Sequence, residues 1–501
     1  MASTTPQPTQ PTSTAAPTAV PVPAPTNTTN IVILGGNHAG LGTLHTLARH
    51  TIPALQRLSS SPSTYKITLL TPNTHFFFKP ASPRALIQPD LLPGGEGEDK
   101  IFRPLSEAIK QYGDLVTVIR GFAVGVDMDK KEVKFKHVDV GGSGDGLFVP
   151  PSSTDEGVVR YDVLIIATGT KARSALWTLP SGPEVQTFKS AHEVVQKQWG
   201  EIRTKLKNLQ SPGHQHHNIL IAGGGPVGVE TAGEVAAWLK AEGKTEGVTV
   251  TLLSGSDRLL GRNCGEGLGR KAEGYLKKNF GGLVRVRHGV KVVGTADSSP
   301  AGGAGAAEGS AVQDEEAAQK ETTVTLSDGS TTTVALYIDA TGGSGTASAF
   351  LPSTWLDATG RINTDEFFRA RGPSSSDSPS SGAAAGGIYA VGDVVSGSDN
   401  TLISTNFQVP VVCSSIGVDL AAQILGPDKE GNGNGVKLPA ALKQKTYKNK
   451  LSGTLLVPIG PGGGVGQVMG WGVPSFLVKV MKAKGFLVEM VEPAVDGSQW
   501  K

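Results

Sequence analysis

Short apolar runs recur along the chain, separated by glycine-rich or polar turns and by segments with helical patterning. A continuous run of about four to eight apolar residues is typical of a strand buried on both faces, as in a parallel sheet. Such runs lie at residues 31–34, 66–70, 161–167, 219–222, 249–253 and 387–391. Their alternation with helical segments predicts an α/β fold built on parallel strands.

Two of these runs end in glycine-rich turns of the same design. The first turn consists of Gly35, Gly36, Asn37, His38, Ala39 and Gly40. The second carries Gly223, Gly225 and Gly228 at matching spacing. A turn of this kind, between a strand and a helix, presents backbone N–H groups and a helix N-terminus to a pyrophosphate. Two such turns in one chain suggest two dinucleotides, and two dinucleotides held together suggest electron transfer between them.

The first turn departs from the usual dinucleotide-binding pattern at two positions. Asn37 stands in place of the middle glycine, and Thr71 ends the next strand where an acidic ribose partner is expected. Asparagine tolerates the backbone angles of such a turn, but its side chain must then point away from the phosphates. A threonine hydroxyl replaces only part of a carboxylate contact to ribose. Taken alone, this turn is therefore a weak indication of a dinucleotide site.

The second turn has all of its glycines, and its surroundings bear on coenzyme choice. The following strand ends in Ser254, with Arg258 and Arg262 just beyond it. Because no acidic group there would repel a 2′-phosphate, we expect NADPH to be tolerated. Glu230 and Glu234 lie four apart on one face of the intervening helix. Charged residues at this spacing usually lie on a solvated face, which is the expectation here.

Composition limits the functional classes. The chain has 501 residues, enough for two or three domains, and its formal charge of +2 is too close to neutral to indicate a nucleic-acid partner. No uninterrupted apolar run is long enough to span a bilayer. The two cysteines, Cys264 and Cys413, form no C-x-x-C pair. Their spacing excludes the disulphide-reducing type of two-dinucleotide enzyme and is consistent with a reducing compartment.

Several segments have the composition of tails and loops. Residues 1–29 contain no charged side chain and are rich in Pro, Thr, Ser and Ala. We expect this segment to be a disordered tail without a targeting role. Low-complexity stretches at 141–157, 298–321 and 372–387 are expected to be expanded surface loops.

Four further segments complete a recognisable order. Residues 161–169 end in Ala-Thr-Gly, residues 387–393 end in Gly-Asp, residues 74–84 form an aromatic stretch ending in Arg84, and residues 464–467 read Gly-Val-Gly-Gln. Taken alone, Asp393 would serve equally well as a helix N-cap, and Ala-Thr-Gly as an ordinary strand exit. Together with the two turns, these segments resemble the FAD-dependent pyridine nucleotide-disulfide oxidoreductase superfamily from about residue 30 to residue 500. Within it, they are most similar to the branch that contains apoptosis-inducing factor 2.

The resemblance implies an α/β fold with two Rossmann-like nucleotide-binding domains and a small C-terminal α+β region. The NAD(P) domain is expected as an insertion in the FAD domain. The implied divisions are 1–29 for the tail, 30–190 and 346–430 for the FAD-binding domain, 215–345 for the NAD(P)-binding domain and 437–501 for the C-terminal region.

The resemblance also implies the residues that hold the cofactors. FAD would be contacted by the first turn, Gly35 to Gly40, and by Arg84, Ala123, Ala167, Gly169, Asp393 and Gln408. Ala123 would approach the adenine through its backbone, Asp393 would bind the ribitol chain, and Gln408 would lie in the helix whose N-terminus faces the flavin. NADH or NADPH, as co-substrate, would be contacted by Gly223, Gly225, Gly228, Glu230 and Arg258. Glu230 would lie near the nicotinamide. No metal site is expected.

The implied function is an NAD(P)H oxidoreductase that passes electrons through flavin to a quinone-type acceptor, since there is no redox dithiol to receive them. Two alternatives stay open. One is a flavoenzyme of the same fold with a redox protein, oxygen or a pathway metabolite as acceptor. The other is a redox signalling protein of the apoptosis-inducing-factor type.

The C-terminal region bears on location. Apolar positions 476, 477, 480 and 481 with interspersed lysines predict a short amphipathic helix. We expect this helix to pack on the FAD domain, with peripheral membrane contact as the alternative. The expected location is cytoplasmic.

Overall fold

The computed structural model describes residues 28–59, 63–138, 156–179, 191–211, 216–261, 265–298, 321–372, 387–425 and 438–500. Strands β1–β21 and helices α1–α10 are numbered along the chain. The expected tail lies outside the described residues except for 28 and 29, which begin the first strand. The expected loops at 141–157, 298–321 and 372–387 also lie outside them, except at their end residues.

The larger sheet has the strand order β18-β8-β1-β2-β5-β6-β7. Its strands are β1 (Thr28–Leu34), β2 (Thr64–Thr71), β5 (Val116–Asp127), β6 (Glu132–His137), β7 (Glu156–Arg160), β8 (Val163–Ile166) and β18 (Ile388–Ala390). Neighbours from β18 to β5 are parallel, and β6 and β7 continue the sheet antiparallel. Residues 31–34 of β1 are at most 1% exposed, as expected for a central parallel strand.

A second parallel sheet has the order β12-β11-β10-β16. It consists of β10 (Asn218–Ala222), β11 (Thr249–Ser254), β12 (Val284–His288) and β16 (Leu336–Asp339). An antiparallel sheet of β13 (Val292–Ser298), β14 (Glu321–Leu326) and β15 (Thr331–Val334) contacts it. All of these strands fall between β8 and β18 in the chain. The predicted α/β fold, with one Rossmann-like unit inserted in another, is confirmed.

Two small antiparallel sheets join neighbouring segments. They are β3 (His75–Phe77) with β4 (Phe102–Pro104), and β9 (Thr170–Ala172) with β17 (Gly343–Thr346). Because β9 precedes the second unit and β17 follows it, their pairing ties together the two connections between the units.

Helices cover the sheets. They are α1 (His38–Thr46), α2 (Ile52–Leu58), α3 (Ser82–Ile87), α4 (Leu105–Ile109), α5 (Ala191–Lys207), α6 (Pro226–Ala241), α7 (Glu266–Phe280), α8 (Leu402–Leu425), α9 (Ser475–Val478) and α10 (Val491–Val495). A π-helical turn, Leu47–Thr51, joins α1 to α2. Among the described residues, α8 is the helix long and apolar enough to cross a membrane, yet 61% of its apolar window is buried inside the protein. It packs on α1 as a core helix does.

The C-terminal region contains the antiparallel sheet β19 (Leu455–Pro458), β20 (Gly464–Val468) and β21 (Trp471–Val473). Helix α9 continues as a second π-helical turn, Lys479–Ala483. The expected packing of this segment through positions 476, 480 and 481 is wrong, because Phe476 and Val480 are 64% and 70% exposed. Val478 and Ala483 are buried instead. These positions are five apart, as a π-helical turn requires, whereas the prediction assumed ordinary helical spacing.

Candidate active site

The first glycine-rich turn joins β1 to α1 at positions that exclude any side chain. Gly35 has a φ of +106°, and a Cβ atom there would lie 2.5 Å from the Ala167 carbonyl oxygen. A Cβ atom on Gly40 would lie 1.8 Å from the Gly35 carbonyl oxygen. Because both positions are glycine, α1 begins close to the end of β1. Its N-terminal dipole and N–H groups therefore face the carboxyl edge of the sheet, where an anion would be stabilised.

Asn37 occupies the middle position of this turn with an ordinary backbone, at a φ of −95°. Its Nδ2 donates a hydrogen bond to the Phe77 carbonyl at 3.1 Å, and its Oδ1 accepts one from the Phe77 N–H at 3.2 Å. The carboxamide is therefore held on β3. This is how asparagine fits where glycine is usual.

A cavity lies at the first turn. Its wall includes Gly35, Gly36, Asn37, Thr71, Lys79, Ala123, Ala167, Thr168, Lys171 and Thr346. The structure thus brings together five of the predicted FAD contacts, namely Gly35, Gly36, Asn37, Ala123 and Ala167. The described wall carries two lysines and no carboxylate. Together with the turn and the α1 N-terminus, this donor set fits the pyrophosphate of FAD.

The other predicted FAD contacts lie beyond this wall. They are His38, Ala39, Gly40, Arg84, Gly169, Asp393 and Gln408. Gln408 accepts a hydrogen bond from the Gly392 N–H at 2.6 Å, so it supports the turn that carries Asp393. Burial raises the pKa of Asp393, and the Lys79 ammonium opposes that rise. Lys79 therefore lines the cavity and also lowers the pKa of Asp393, although the sequence reasoning did not single it out.

Lys79 lines the cavity. Desolvation lowers the pKa of Lys79, and the Asp393 carboxylate partly offsets this. Its position five residues before Arg84, in the aromatic stretch, was the available signal.

His38 begins α1 and is partly buried. Burial lowers the pKa of His38 to about 4, so the ring is neutral at pH 7. Its Nε2–H donates to Oδ1 of Asn406 in α8 at 2.6 Å. The hydrogen bond ties the first turn to the beginning of α8.

Arg84 contacts groups of the second unit and of the C-terminal region. Its Nη2 donates to Glu234 Oε1 at 3.0 Å and to the Ala483 carbonyl oxygen at 3.1 Å. The side chain is 1% exposed and is absent from the wall of the cavity described above. A buried guanidinium must satisfy its charge locally, and Glu234 of the second unit supplies the carboxylate. The structure therefore places Arg84 in an interdomain ion pair.

The second turn is built like the first. Gly223 has a φ of +127°, and its Cβ atom would lie 2.1 Å from the Ala340 carbonyl oxygen. A Cβ atom on Gly228 would lie 1.8 Å from the Gly223 carbonyl oxygen. Gly225 caps α6, and its Cβ position opens to free space. Helix α6 therefore begins close to the end of β10, as α1 does at the end of β1.

The residues beyond β11 form the edge of this second site. Ser254 Oγ donates to the Arg258 carbonyl at 2.9 Å and holds the loop. The Arg258 guanidinium lies 3.3 Å from Glu266, in a partly exposed pair. Arg262 lies outside the described residues. Arg258 is therefore one cation near the end of β11, and Lys291, which packs against Gly255, is another.

The expectation that Glu230 and Glu234 lie on a solvated face is wrong. They are 3% and 0% exposed, because α3 and the C-terminal region cover this side of α6. Lys482 Nζ donates to Glu230 Oε1 at 2.6 Å, while Arg84 binds Glu234. Two cations and two anions thus form a buried network. It joins α3, helix α6 of the second unit and the C-terminal region.

Electrostatics within this network single out Glu230. Burial raises the pKa of Glu230 to about 7, although the Lys482 ammonium lowers it. Burial also raises the pKa of Glu234, with Arg84 opposing. A carboxyl group with a pKa near 7 can take up or release a proton at neutral pH.

Comparison with known proteins accords with this architecture. Residues 29–409 match the family model for the pyridine nucleotide-disulphide oxidoreductases. The chain is 29% identical to oxidoreductase phnG of Penicillium herquei, over 95% of this chain and 98% of that protein. It is 28% identical to oxidoreductase ptaL of Pestalotiopsis fici, over 94% and 99%.

Solved structures share the fold. The sulfide:quinone oxidoreductase of Aquifex aeolicus has a TM-score of 0.57 at 16% identity, covering 94% of this chain and 92% of that one. NDH2 of Plasmodium falciparum has a TM-score of 0.54 at 15% identity, covering 94% and 98%. The paired turns, the inserted second sheet and the family match lead to one conclusion: this chain belongs to the pyridine nucleotide-disulphide oxidoreductase family.

Proposed function

We propose that this protein is an FAD-dependent NAD(P)H oxidoreductase that passes electrons from NADH or NADPH to a quinone-type acceptor. Family membership supports the oxidoreductase part and both cofactors. When bound, flavin would take up two electrons from reduced nicotinamide and pass them on to an acceptor.

The observation that carries the proposal is the buried Glu230–Lys482 pair. Glu230 lies in α6, directly after the second glycine-rich turn, and Lys482 comes from the C-terminal region. A carboxyl group with a pKa near 7 beside a fixed ammonium can hold a proton where the two nucleotide units meet. Two-electron transfer to a quinone also consumes protons, so a buried proton-holding group is chemically appropriate there.

The remaining residues would bind and orient. The first turn and Lys79 would hold the pyrophosphate of FAD, and Gly392–Asp393, supported by Gln408, would face its ribitol. Arg258 would donate hydrogen bonds to the 2′-phosphate of NADPH. Arg84, bound to Glu234, would fix the second unit against α3.

Two features support a quinone-type acceptor. The sequence has no C-x-x-C pair, and Cys413 is buried with its pKa raised to about 12, which makes it a poor redox thiol. Partial matches include a probable NADH-ubiquinone oxidoreductase of Schizosaccharomyces pombe and an external alternative NAD(P)H-ubiquinone oxidoreductase of Arabidopsis thaliana, both 24% identical. The chain spans about a third of the length of each.

The proposal includes the apoptosis-inducing factor 2 branch, which the aromatic stretch and Gly-Val-Gly-Gln favour. The chain is also 24% identical to apoptosis-inducing factor 1 of Saccharomyces cerevisiae, over 93% of this chain and 98% of that protein.

We further propose that the protein is cytoplasmic and makes peripheral contact with a membrane. The exposed apolar residues of the C-terminal region support that contact, namely Met469, Trp471, Phe476, Val480 and Met481.

Steady-state kinetics test the proposal. Full-length protein saturated with FAD would be supplied with NADH or NADPH and a soluble short-chain quinone, a redox protein or oxygen alone. We expect a flavin spectrum and oxidation of reduced nicotinamide that the quinone accelerates most. Protein that retains no flavin, or turnover unaffected by quinone, would contradict the proposal.

A matched pair of variants tests the role of Glu230. Glu230→Gln should lower turnover by about a hundredfold if its proton is used. Glu242→Gln, at the exposed end of the same helix, should leave turnover unchanged. Equal activity of both variants would remove Glu230 from the mechanism.

A further inference from the structure

A second cleft lies at the C-terminal end of α1. Its volume is about 440 Å³, within the range of small-molecule sites, and it shares no wall residue with the cavity at the first turn. It lies between the helical segment that continues α1, helix α8 and the C-terminal residues. Its wall includes Thr46, His50, Thr51, Asn406, Pro410, Cys413, Ser414, Ala440, Ala441, Lys445, Gln499 and Trp500.

Two helix irregularities line this cleft. On one side, His50 and Thr51 belong to the π-helical turn Leu47–Thr51. On the other, Pro410 lies inside α8 and cannot donate to the Asn406 carbonyl, one turn earlier. Both distortions destabilise a helix, and π-helical turns are frequent at functional sites. Both irregularities therefore lie at the wall of one cleft.

The C-terminal end of the cleft presents buried polar atoms that lack a partner in the described structure. They are Trp500 Nε1, which is a donor, and Gln499 Oε1, which is an acceptor. Trp500 is 6% exposed, and its indole is fixed because it packs directly against Gly42. His50 Nε2–H donates to the Trp500 carbonyl at 2.8 Å, which holds this residue in place. A buried donor and acceptor left unpaired destabilise the fold, so a ligand with complementary groups would gain by pairing them.

Charge and shape narrow the chemistry of that ligand. Lys445 supplies a cation close enough to act on the buried Cys413 thiol, and the described wall contains no carboxylate. Trp500, Pro410 and Ala441 supply flat apolar surface. An anionic oxygen, a hydroxyl group and an aromatic ring would match these three features.

We propose that this cleft binds a small hydroxylated aromatic carboxylate. The carboxylate lies at Lys445, the hydroxyl group accepts from Trp500 Nε1 and donates to Gln499 Oε1, and the ring lies along Pro410 and Ala441. The site is separate from the nucleotide sites, and the proposal does not depend on the electron acceptor.

The cleft is nevertheless connected to the first turn. Gln499 Nε2 donates to Asn406 Oδ1 at 2.9 Å, and the same oxygen accepts from His38 Nε2 at 2.6 Å. A ligand that engages Gln499 therefore shifts a hydrogen-bond chain ending at the first residue of α1. We expect the absorbance spectrum of bound flavin to change when the cleft is filled.

Calorimetric titration of the flavin-loaded full-length protein tests the site. Hydroxynaphthoate is the probe, and hydroxynaphthamide, of the same shape without the charge, is its control. Lys445→Met should weaken the binding of hydroxynaphthoate at least tenfold. It should leave the affinity for hydroxynaphthamide within about twofold of its original value. Lys448→Met, an exposed lysine three residues further along, should change neither. Ala441→Phe fills the cleft and should abolish binding of both probes.

Two outcomes would overturn the proposal. One is the absence of binding heat with the unmodified protein up to the solubility of the probe. The other is binding that Lys445→Met and Ala441→Phe leave unchanged, which would put the probe elsewhere, including in a nucleotide site. Because the titration uses neither reduced nicotinamide nor an acceptor, its failure is distinguishable from failure of the proposed oxidoreductase activity.

Discussion

Replacing Glu230 by glutamine removes one buried carboxylate while keeping its size and its place beside Lys482. In the folded protein the pKa of Glu230 is about 7, against an ordinary value of 4.5. A difference of one in pKa corresponds to about 1.4 kcal/mol. Ionised Glu230 therefore lowers the free energy of unfolding by about 3 kcal/mol relative to its protonated form.

The pH range of this effect follows from the two pKa values. Below about pH 4.5, the carboxyl group is protonated in both states and resembles glutamine. Between about pH 4.5 and pH 7 the unfolded chain ionises first, so the folded state of the unmodified protein loses stability as the pH rises. Above about pH 7 both states are ionised and the loss is complete. Glu230→Gln should therefore be more stable than the unmodified protein at pH 8 but not at pH 4.5.

Urea unfolding of both proteins from pH 4.5 to pH 8 measures this difference. Subtracting the two curves cancels the groups that titrate identically in both. Glu242→Gln, which removes an exposed glutamate at the end of the same helix, is the control. A flat difference curve for Glu230→Gln would refute the raised pKa of Glu230.

Other predictions concern the ion pair, the second turn and coenzyme choice. Arg84→Met should lower the free energy of unfolding by about 3 to 5 kcal/mol, whereas combining it with Glu234→Met should recover most of that loss in urea unfolding. An additive double variant would contradict this. Gly228→Ala should abolish NADH binding in calorimetry, since its Cβ atom would lie 1.8 Å from a backbone oxygen, while Gly274→Ala, in open space on α7, should not. Arg258→Met should raise the KM for NADPH about tenfold and spare NADH in steady-state assays, and an equal change for both coenzymes would exclude a phosphate contact.

The parts of the fold that sequence reasoning predicted are those where local geometry dictates residue type. Gly35 and Gly223 have positive φ angles and lie against a carbonyl oxygen, so a motif suffices to find them. The buried parallel strands could be predicted because a strand covered on both faces must be apolar throughout. The inserted order of the two units followed from the resemblance, since strand patterns alone leave their connection open.

The partners of the charged residues could not be predicted in this way. Glu234 pairs with Arg84, 150 residues away in the chain, and Glu230 pairs with Lys482, 252 residues away. Glutamates at helical spacing have the same pattern whether water or another segment covers them. Whether these glutamates are buried depends on the packing of α3 and the C-terminal region on α6. That packing is a tertiary property. The buried positions of the π-helical turn at Lys479–Ala483 were not predicted for a related reason. A π-helical turn changes the residue spacing on which helical patterns rely.

The buried network explains how three separate segments hold one arrangement. Both glutamates lie on α6, one cation comes from α3, and the other comes from the C-terminal region. Each charge is desolvated, so none is satisfied unless the other segments are in place. Apolar packing alone would tolerate sliding of α6 on α3, because hydrophobic contacts are not directional. The bidentate contact of Arg84 with Glu234 allows one orientation, and we infer that the network sets the angle at which the second nucleotide unit meets the first. The double variant separates this role from stability, because it restores a neutral core without restoring that directional contact.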